Sequence, residues 1–515
     1  MKVEIAKYAK RNFTWGILLR IYQILAPVFI RRLFIYRLGI EYAGLGGLFL
    51  SILSFLNLAE MGIESAVMYF MYKPIQDDDT TAVRRLLGLI HKYYKCVGLF
   101  VLVAGLIILP FIPRLIAGEV PAEINVYAVY LMNLIPAVLS YWIWPYKNTL
   151  LRAHMRNDLI SRTQFGAYTI KYAGQILVLL YFANYYLYLS IEILAKIFER
   201  FLALIVANRK YPKLKQILEP TAGMRSAFRE KTEALIFHKI GGVVVNSADP
   251  VVISAFLGLT ILGKYENYSI IMGGVLGFVL LINTSLEAGI GHLVAGNGPE
   301  ENAKLFERYT FLLYVLATVC CCCFLNLYQP AITLWIDASM LLGEDIVILL
   351  CMYFYVVLMM VPGNVFENAS GLWSSDKYRP LLEGALNLTL NLILVQLIGL
   401  QGVLLSTILS MAFFSVPWLY YNVTNRVLGG GFRAQLQTIV RQAVECAIMC
   451  TISRALCLLI PNGVSLIGVI AISCVVSCLV PICIMYVMYR KGENWKWLIG
   501  TIYLTFQRVR RQDKA

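Results

Sequence analysis

The sequence predicts an all-α polytopic membrane protein of about fourteen transmembrane helices, built as two pseudo-symmetric six-helix lobes plus two C-terminal helices. Three observations carry this. Hydrophobic residues make up 59% of the 515 and charged residues 15%, against about 45–50% and about 25% in a soluble domain. The apolar residues gather into fourteen stretches, most of them long enough for a helix to cross a hydrocarbon core of about 30 Å. Lys and Arg concentrate in alternate connections between those stretches, as the positive-inside rule requires.

In chain order the stretches fall at 13–36, 44–72, 84–110, 124–145, 161–183, 186–207, 235–258, 266–294, 308–330, 344–372, 380–399, 401–424, 437–460 and 464–489. Lys7, Lys10 and Arg11 precede the first, and no small-residue cleavage site follows it, so it reads as a retained anchor. Basic loops such as Lys147, Arg152, Arg156 and Arg162 mark the cytoplasmic side and place both termini there. Arg31, Arg32 and Arg37, at the first outer turn, break that pattern. The connection at 208–234 is basic, contains Pro212, Pro220 and Gly223, and reads as an interlobe linker. It separates an N-lobe over 1–207 from a C-lobe over 235–425, with the additional helices over 426–489 and a basic cytoplasmic tail over 490–515.

An internal comparison points to the same duplication. Residues 20–40 align without gaps on 239–259, pairing Arg20 with Lys239 and Leu38-Gly39 with Leu257-Gly258. The next helix of each lobe carries Glu-x-Gly-Ile, at Glu60 to Ile63 and at Glu287 to Ile290. Both halves then share one orientation, as parallel repeats do.

Several function classes are disfavoured. The net charge of +15 belongs to short loops on one side, so no nucleic-acid partner is expected. The 12 cysteines, including Cys320 to Cys323, lie mostly in apolar stretches without paired Cys/His spacing and read as small hydrophobes, not metal ligands. Gly263-Lys264 precedes Tyr265, so there is no P-loop. Gly44, Gly46 and Gly47 lack a βαβ context and read as close helix packing or a turn. No His-Glu-x-x-His occurs. Transport is favoured over enzymology.

The informative residues are polar ones at helical spacing inside apolar stretches. A carboxylate facing lipid at mid-membrane costs about 3 kcal/mol on insertion scales, so such residues should face protein or water. Ser54, Asn57, Glu60 and Glu64 form one stripe on the second stretch. Arg20, Gln23, Pro27 and Arg31 share a face of the first. The fifth carries Gln164, Tyr168, Lys171 and Gln175. On the sixth, Glu192, Lys196 and Arg200 follow at i,i+4 steps, either an ion-pair ladder or a functional row. Asn246 and Asp249 precede Pro250 on the seventh, and Asn283 and Glu287 stack on the eighth, where His292 reads as a packing residue. On the tenth, Asn364, Glu367, Asn368 and Gly371 form one face. Arg379 and Glu383 pair at the start of the eleventh, with Asn387 and Asn391 beyond them as either site residues or polar glue.

The run LGIEYAGLGGLFLSILSFLNLAEMGIESAVMYFMYKPI at residues 38–75 resembles the second-helix region of bacterial Wzx-type polysaccharide flippases, members of the MOP (multidrug/oligosaccharidyl-lipid/polysaccharide) exporter superfamily. Residues 246–272 are similar to the seventh and eighth helices of that family, and 369–380 to its tenth and eleventh. The resemblance spans nearly the whole chain. It implies two six-helix lobes around a central cavity, alternating access, and an undecaprenyl-diphosphate-linked oligosaccharide moved from the cytoplasmic to the outer leaflet of a bacterial plasma (inner) membrane. A polyprenyl-diphosphate-linked glycan and membrane lipids are the partners implied.

A diphosphate needs cationic partners in a low-dielectric cavity. The expected cargo-binding residues are Arg20, Arg31, Lys171 and Lys239, with Asn364 and Asn368. No cofactor is expected; Glu60, Glu64, Asp249, Glu287 and Glu367 are candidates for Na⁺ or H⁺ coupling, since buried carboxylates link protonation to conformation. Glu60 and Glu64 either bind such an ion or pair with Arg20. The alternatives are a multidrug or other small-molecule exporter on the same architecture and a membrane glycan polymerase or ligase. The short outer loops disfavour the enzyme.

Overall fold

The computed structural model describes residues 5–57, 63–118, 120–226, 228, 247–461 and 463–512. Glu60, Lys239 and Asn246 lie outside the described residues. All regular structure in the described residues is helical. In chain order the helices are α1 (Ile5–Leu38), α2 (Ile40–Leu56), α3 (Ile63–Gln76), α4 (Thr80–Ile108), α5 (Val126–Trp142), α6 (Tyr146–Ala153), α7 (Asn157–Tyr181) and α8 (Tyr185–Lys210). Then come α9 (Ser247–Leu257), α10 (Leu259–Gly296), α11 (Pro299–Trp335), α12 (Glu344–Ser370), the single turn α13 (Trp373–Asp376), α14 (Arg379–Ile398), α15 (Leu400–Leu409), α16 (Val416–Arg426), α17 (Phe432–Leu458), α18 (Leu466–Tyr489) and α19 (Glu493–Gln512). Within the described residues the fourteen apolar stretches fall largely on helix, the second being described to Asn57 and again from Ile63, and the seventh from Ser247 onward. Among the described residues, seven helical segments are long and apolar enough to cross a membrane, one of them, Leu400–Arg426, running through α15 and α16, and α5 with α6, joined at a 52° bend, makes an eighth. The chain is a multi-pass membrane protein.

In the apolar run at 44–72, α2 ends at the Asn57 cap and α3 is described from Ile63 onward, residues 58–62 lying outside the described residues. The basic tail at 490–515 carries the helix α19.

Two compact units divide the chain, residues 1–266 and 267–515. In the first, helix starts are set by side chains that satisfy the free N–H groups of a first turn. The carboxylate of Asp79 accepts from the Ala82 N–H at 2.9 Å, and the side-chain carbonyls of Asn125 and Asn184 accept from Ala128 and Leu187 at 3.2 and 3.0 Å. At the other end of α7, Arg37 donates to the last-turn carbonyls of Leu179 and Leu180 at 2.8 and 2.9 Å. Arg37 therefore caps a helix C-terminus, where cations are favoured.

The Leu-Gly pairs of the internal comparison share a conformation. Gly39 has φ 115° and Gly258 φ 86°, a region that a side chain disfavours. Each ends one helix and lets the next begin at once: Gly39 N–H donates to Ile35 O at 3.0 Å, and Gly258 N–H to Ile253 O at 3.1 Å. The glycines after the first of these turns then bring α2 against the start of α10. A Cβ on Gly44 would collide with the Leu259 carbonyl, one on Gly263 would lie 2.6 Å from the Ile40 carbonyl, and one on Gly47 would lie 3.0 Å from the Glu266 side chain. Close packing is thus the role of Gly44 and Gly47. A strap after α8 completes this unit. Leu218 N–H donates to Arg84 O at 3.0 Å, Lys92 pairs with Glu219, and Phe228 is fully buried against Phe70 and Tyr93.

In the second unit, α11 is the core helix, packed by α12, α17 and α18. The Asn326 amide donates to Ser453 and Ser477 at 2.8 and 2.9 Å, tying α17 and α18 to it. Glu445 on α17 accepts from Tyr314 at 2.9 Å and from Tyr489. The cysteines are free thiols. Along α14 and α15 a buried polar seam joins Asn387 to Thr407 at 2.9 Å and Ser406 to Asn391 at 2.6 Å. Asn387 and Asn391 are fully buried, so their role here is interhelical glue.

Candidate functional site

One group of charged side chains in the first unit lies where α1, α7 and α8 run together. Lys171 lies 3.2 Å from a Glu192 carboxylate oxygen, and Gln175 donates to Glu192 at 3.3 Å. The ammonium sits over the rings of Tyr172 and Tyr168, at 4.7 and 5.2 Å from their centroids. Cation–π attraction of this kind is worth about 0.5–2 kcal/mol, more as water is removed. Tyr22 of α1 closes the aromatic group, 5.7 Å from Tyr172 and 4.7 Å from Phe165. Lys171 is 14% exposed and Glu192 is 42% exposed. The cation is thus recessed behind its carboxylate.

Nearer the end of α1, the Arg31 guanidinium donates to Gly263 O at 3.3 Å. Glu266, Tyr185 and Tyr188 are its electrostatic neighbours. Phe34 packs edge-on against both tyrosines, at 5.9 and 5.0 Å. Arg20 is exposed on α1, with no hydrogen bond or ion pair among the described residues. The stripe on α1 therefore holds one open cation and one engaged with backbone.

Other expected residues are placed differently. Glu64 is bound by Arg152 at 2.6 Å and Thr149 at 3.1 Å, both on α6, so its partner is not Arg20. The i,i+4 ladder on α8 does not form. Glu192 reaches Lys171 on α7, while Lys196 pairs with Glu199 at 3.0 Å and Gln164 donates to Glu199 at 3.2 Å. Asp249 is buried on α9.

In the second unit, Asn368 donates to Glu287 at 3.2 Å. Asn364 accepts from Arg379 at 3.4 Å. Arg379 is also bound by Asp376 at 2.7 Å, with Glu383 at 3.5 Å and Glu367 at 3.9 Å. The two asparagines thus sit beside carboxylates instead of standing open.

Sequence periodicity missed Glu266 and Asp376. Glu266 is a carboxylate early in a long apolar stretch, a departure that could have marked it. Asp376 lies in the short turn between two stretches, where a carboxylate carries no signal.

Solved structures share this architecture. The lipid II flippase MurJ, in an inward closed conformation, matches with a TM-score of 0.63 at 13% identity, over 93% of this chain and 99% of its own. An inward-facing multidrug resistance MATE family transporter of the MOP superfamily matches at 0.60 and 11% identity, over 82% and 99%. The fold is that of the MOP-superfamily transporters. The Vibrio cholerae MATE transporter VcmN in its bent form matches at 0.51 and 14% identity, over 85% and 99%. No protein-family model and no curated protein sequence matches the chain. Within the MOP fold, Lys171 and Glu192 belong to the helices α7 and α8 of the first unit, away from the loops.

Proposed function

We propose that this chain is a secondary transporter that moves a polyprenyl-diphosphate-linked oligosaccharide from the cytoplasmic to the outer leaflet by alternating access, in the assembly of a bacterial cell-surface polysaccharide. The observation that carries the reading is Lys171: a recessed ammonium on α7, held by a more exposed carboxylate. A phosphate oxygen is a harder competitor for an ammonium than water. Cargo arriving at this patch exchanges Glu192 for phosphate on Lys171, with Arg20 open on the neighbouring helix as a second cation. The released Glu192 repels the same anion, so the exchange is readily reversed when cargo must leave.

A second reading draws on the same patch. Glu192 with Tyr168 and Tyr172 would also suit an organic cation, and one matching fold is a multidrug transporter. Depleting the protein in its native host separates the two. Build-up of a lipid-linked glycan on the cytoplasmic leaflet, uncorrected by a Lys171→Met copy that reaches the membrane, is the result expected. Unchanged glycan export together with increased drug susceptibility would replace the flippase with an exporter of cations.

A further inference from the structure

Cysteines of the second unit meet sulfur to sulfur. Cys322 and Cys323 are neighbours on α11, about 100° apart around the helix, and so face different partners. The Cys322 sulfur lies 3.6 Å from that of Cys450 on α17, and the Cys323 sulfur 3.9 Å from that of Cys478 on α18. Close packing of small side chains accounts for Cys321 and Cys351, whose thiols donate to each other's backbone carbonyls at 3.4 and 3.6 Å. It does not account for two thiol pairs that run from adjacent residues of one helix to two other helices. Among the described residues no group of three or more His, Cys, Asp or Glu is placed to hold a metal ion.

A second observation fixes the register of both pairs. Asn326 stands one turn beyond the two thiols on α11. Its amide donates at 2.8 Å to Ser453, three positions after Cys450, and at 2.9 Å to Ser477, next to Cys478. Both helices are thereby held against α11 with their thiols opposed. A disulfide has an S–S bond of about 2.0 Å, so each pair must close by less than about 2 Å. Rotation about the Cα–Cβ bonds covers that range.

The surroundings select the oxidant. Both α11 and α18 are long and apolar enough to span a membrane. Cys478 lies at the middle of the 24-residue α18, roughly 18 Å from either end at 1.5 Å per residue. Cys322 is fully buried, while Cys323, Cys450 and Cys478 are part-exposed. A water-soluble thiol does not dissolve at that depth, whereas an apolar hydroperoxide does.

We infer that Cys322–Cys450 and Cys323–Cys478 are oxidation sites, which an apolar organic hydroperoxide converts into two disulfides that fasten α17 and α18 to α11. In each pair one sulfur attacks the outer peroxide oxygen. The O–O bond breaks, the thiol becomes a sulfenic acid, and its proton leaves with the alcohol. The second thiol attacks the sulfenic sulfur, forms the S–S bond and releases water. Two thiols lose two electrons, and the peroxide takes up two as it becomes one alcohol and one water. Cys450, the part-exposed member of its pair, is the entry sulfur, and buried Cys322 resolves it. The inference is independent of the cargo.

Counting thiols on the full chain in lipid nanodiscs tests it. The protein is treated with cumene hydroperoxide, denatured and alkylated with N-ethylmaleimide. Its intact mass should show four fewer adducts than the 12 of untreated protein, and reduction with dithiothreitol before alkylation should restore all 12. Peptide mapping should join Cys322 to Cys450 and Cys323 to Cys478. Cys450→Ser and Cys478→Ser should each lose two adducts on treatment instead of four, and the double variant none. Should a variant not fold, the wild-type peptide map decides alone. Retention of all 12 adducts in treated wild type, disulfides joining other cysteines, or loss of thiols to sulfinic acid without a disulfide would each overturn the assignment.

Discussion

Replacing Gly263 by alanine tests the packing on which the Arg31 end of the patch rests. The added Cβ would lie 2.6 Å from the Ile40 carbonyl oxygen and 2.8 Å from the Ile40 side chain. An ordinary contact begins at 3.4 Å, so α2 and the start of α10 must part by about 0.8 Å, read as the difference between those distances. The obstructing atom is backbone, which no rotamer change can remove. Overpacking of this kind costs about 1–3 kcal/mol, against which alanine recovers at most about 1 kcal/mol of helix propensity. The same shift stretches the 3.3 Å bond from Arg31 to Gly263 O past hydrogen-bond length. Apparent melting temperature in detergent is the assay, with Gly166→Ala as control, because nothing lies within 4 Å of a Cβ there. The control should melt at or slightly above wild type and Gly263→Ala several degrees below. Equal melting temperatures for the two variants would refute the argument.

Other expectations follow from local geometry. Asn326→Ala removes the donor shared by Ser453 and Ser477 and should cost about 1–2 kcal/mol, measurable as a lowered midpoint in denaturant. Arg37→Ala exposes the last carbonyls of α7 and should cost about 1 kcal/mol; faster hydrogen exchange confined to the end of α7 would register it. Asp158, in the first turn of α7, is buried, which alone would raise its carboxyl. The Arg156 hydrogen bond at 2.8 Å, with Arg156, Arg11 and Arg162 charges, holds it below the ordinary value of 3.8. A depressed carboxylate stabilises the folded state above its unfolded value and ceases to do so as pH falls through the folded one. Thermal stability of wild type should therefore drop more than that of Asp158→Asn below about pH 4, and parallel acid curves would contradict it.

How far the sequence reaches depends on the range of each interaction. Apolar length is local, and the stretches it marks lie on helices. The Gly44 and Gly47 spacing is local too, and both glycines pack helix to helix. Partners are another matter. The cation that binds Glu64, Arg152, lies 88 positions away. Helical spacing offered Lys196 as one partner for Glu192, whereas the actual cation, Lys171, lies across a helix hairpin. Glu266 has no periodic companions, and it neighbours Arg31 only because Gly263 lets α10 approach α2. The end of α2 at Asn57 also escaped notice, since no Pro or Gly stands between Leu48 and Asn57 to mark it.

The glycine face of α2 has a consequence for synthesis. A nascent chain released through Lys210 contains α1 to α8 yet not the turns at Leu259–Glu266 that cover Gly44 and Gly47. Until those turns emerge, the small-residue face of α2 has no partner from this unit, and lipid or another helix must occupy it. The order of insertion is therefore not the order of closure. A truncation after Glu266 retains the covering turns, while one after Ser226 leaves the face bare.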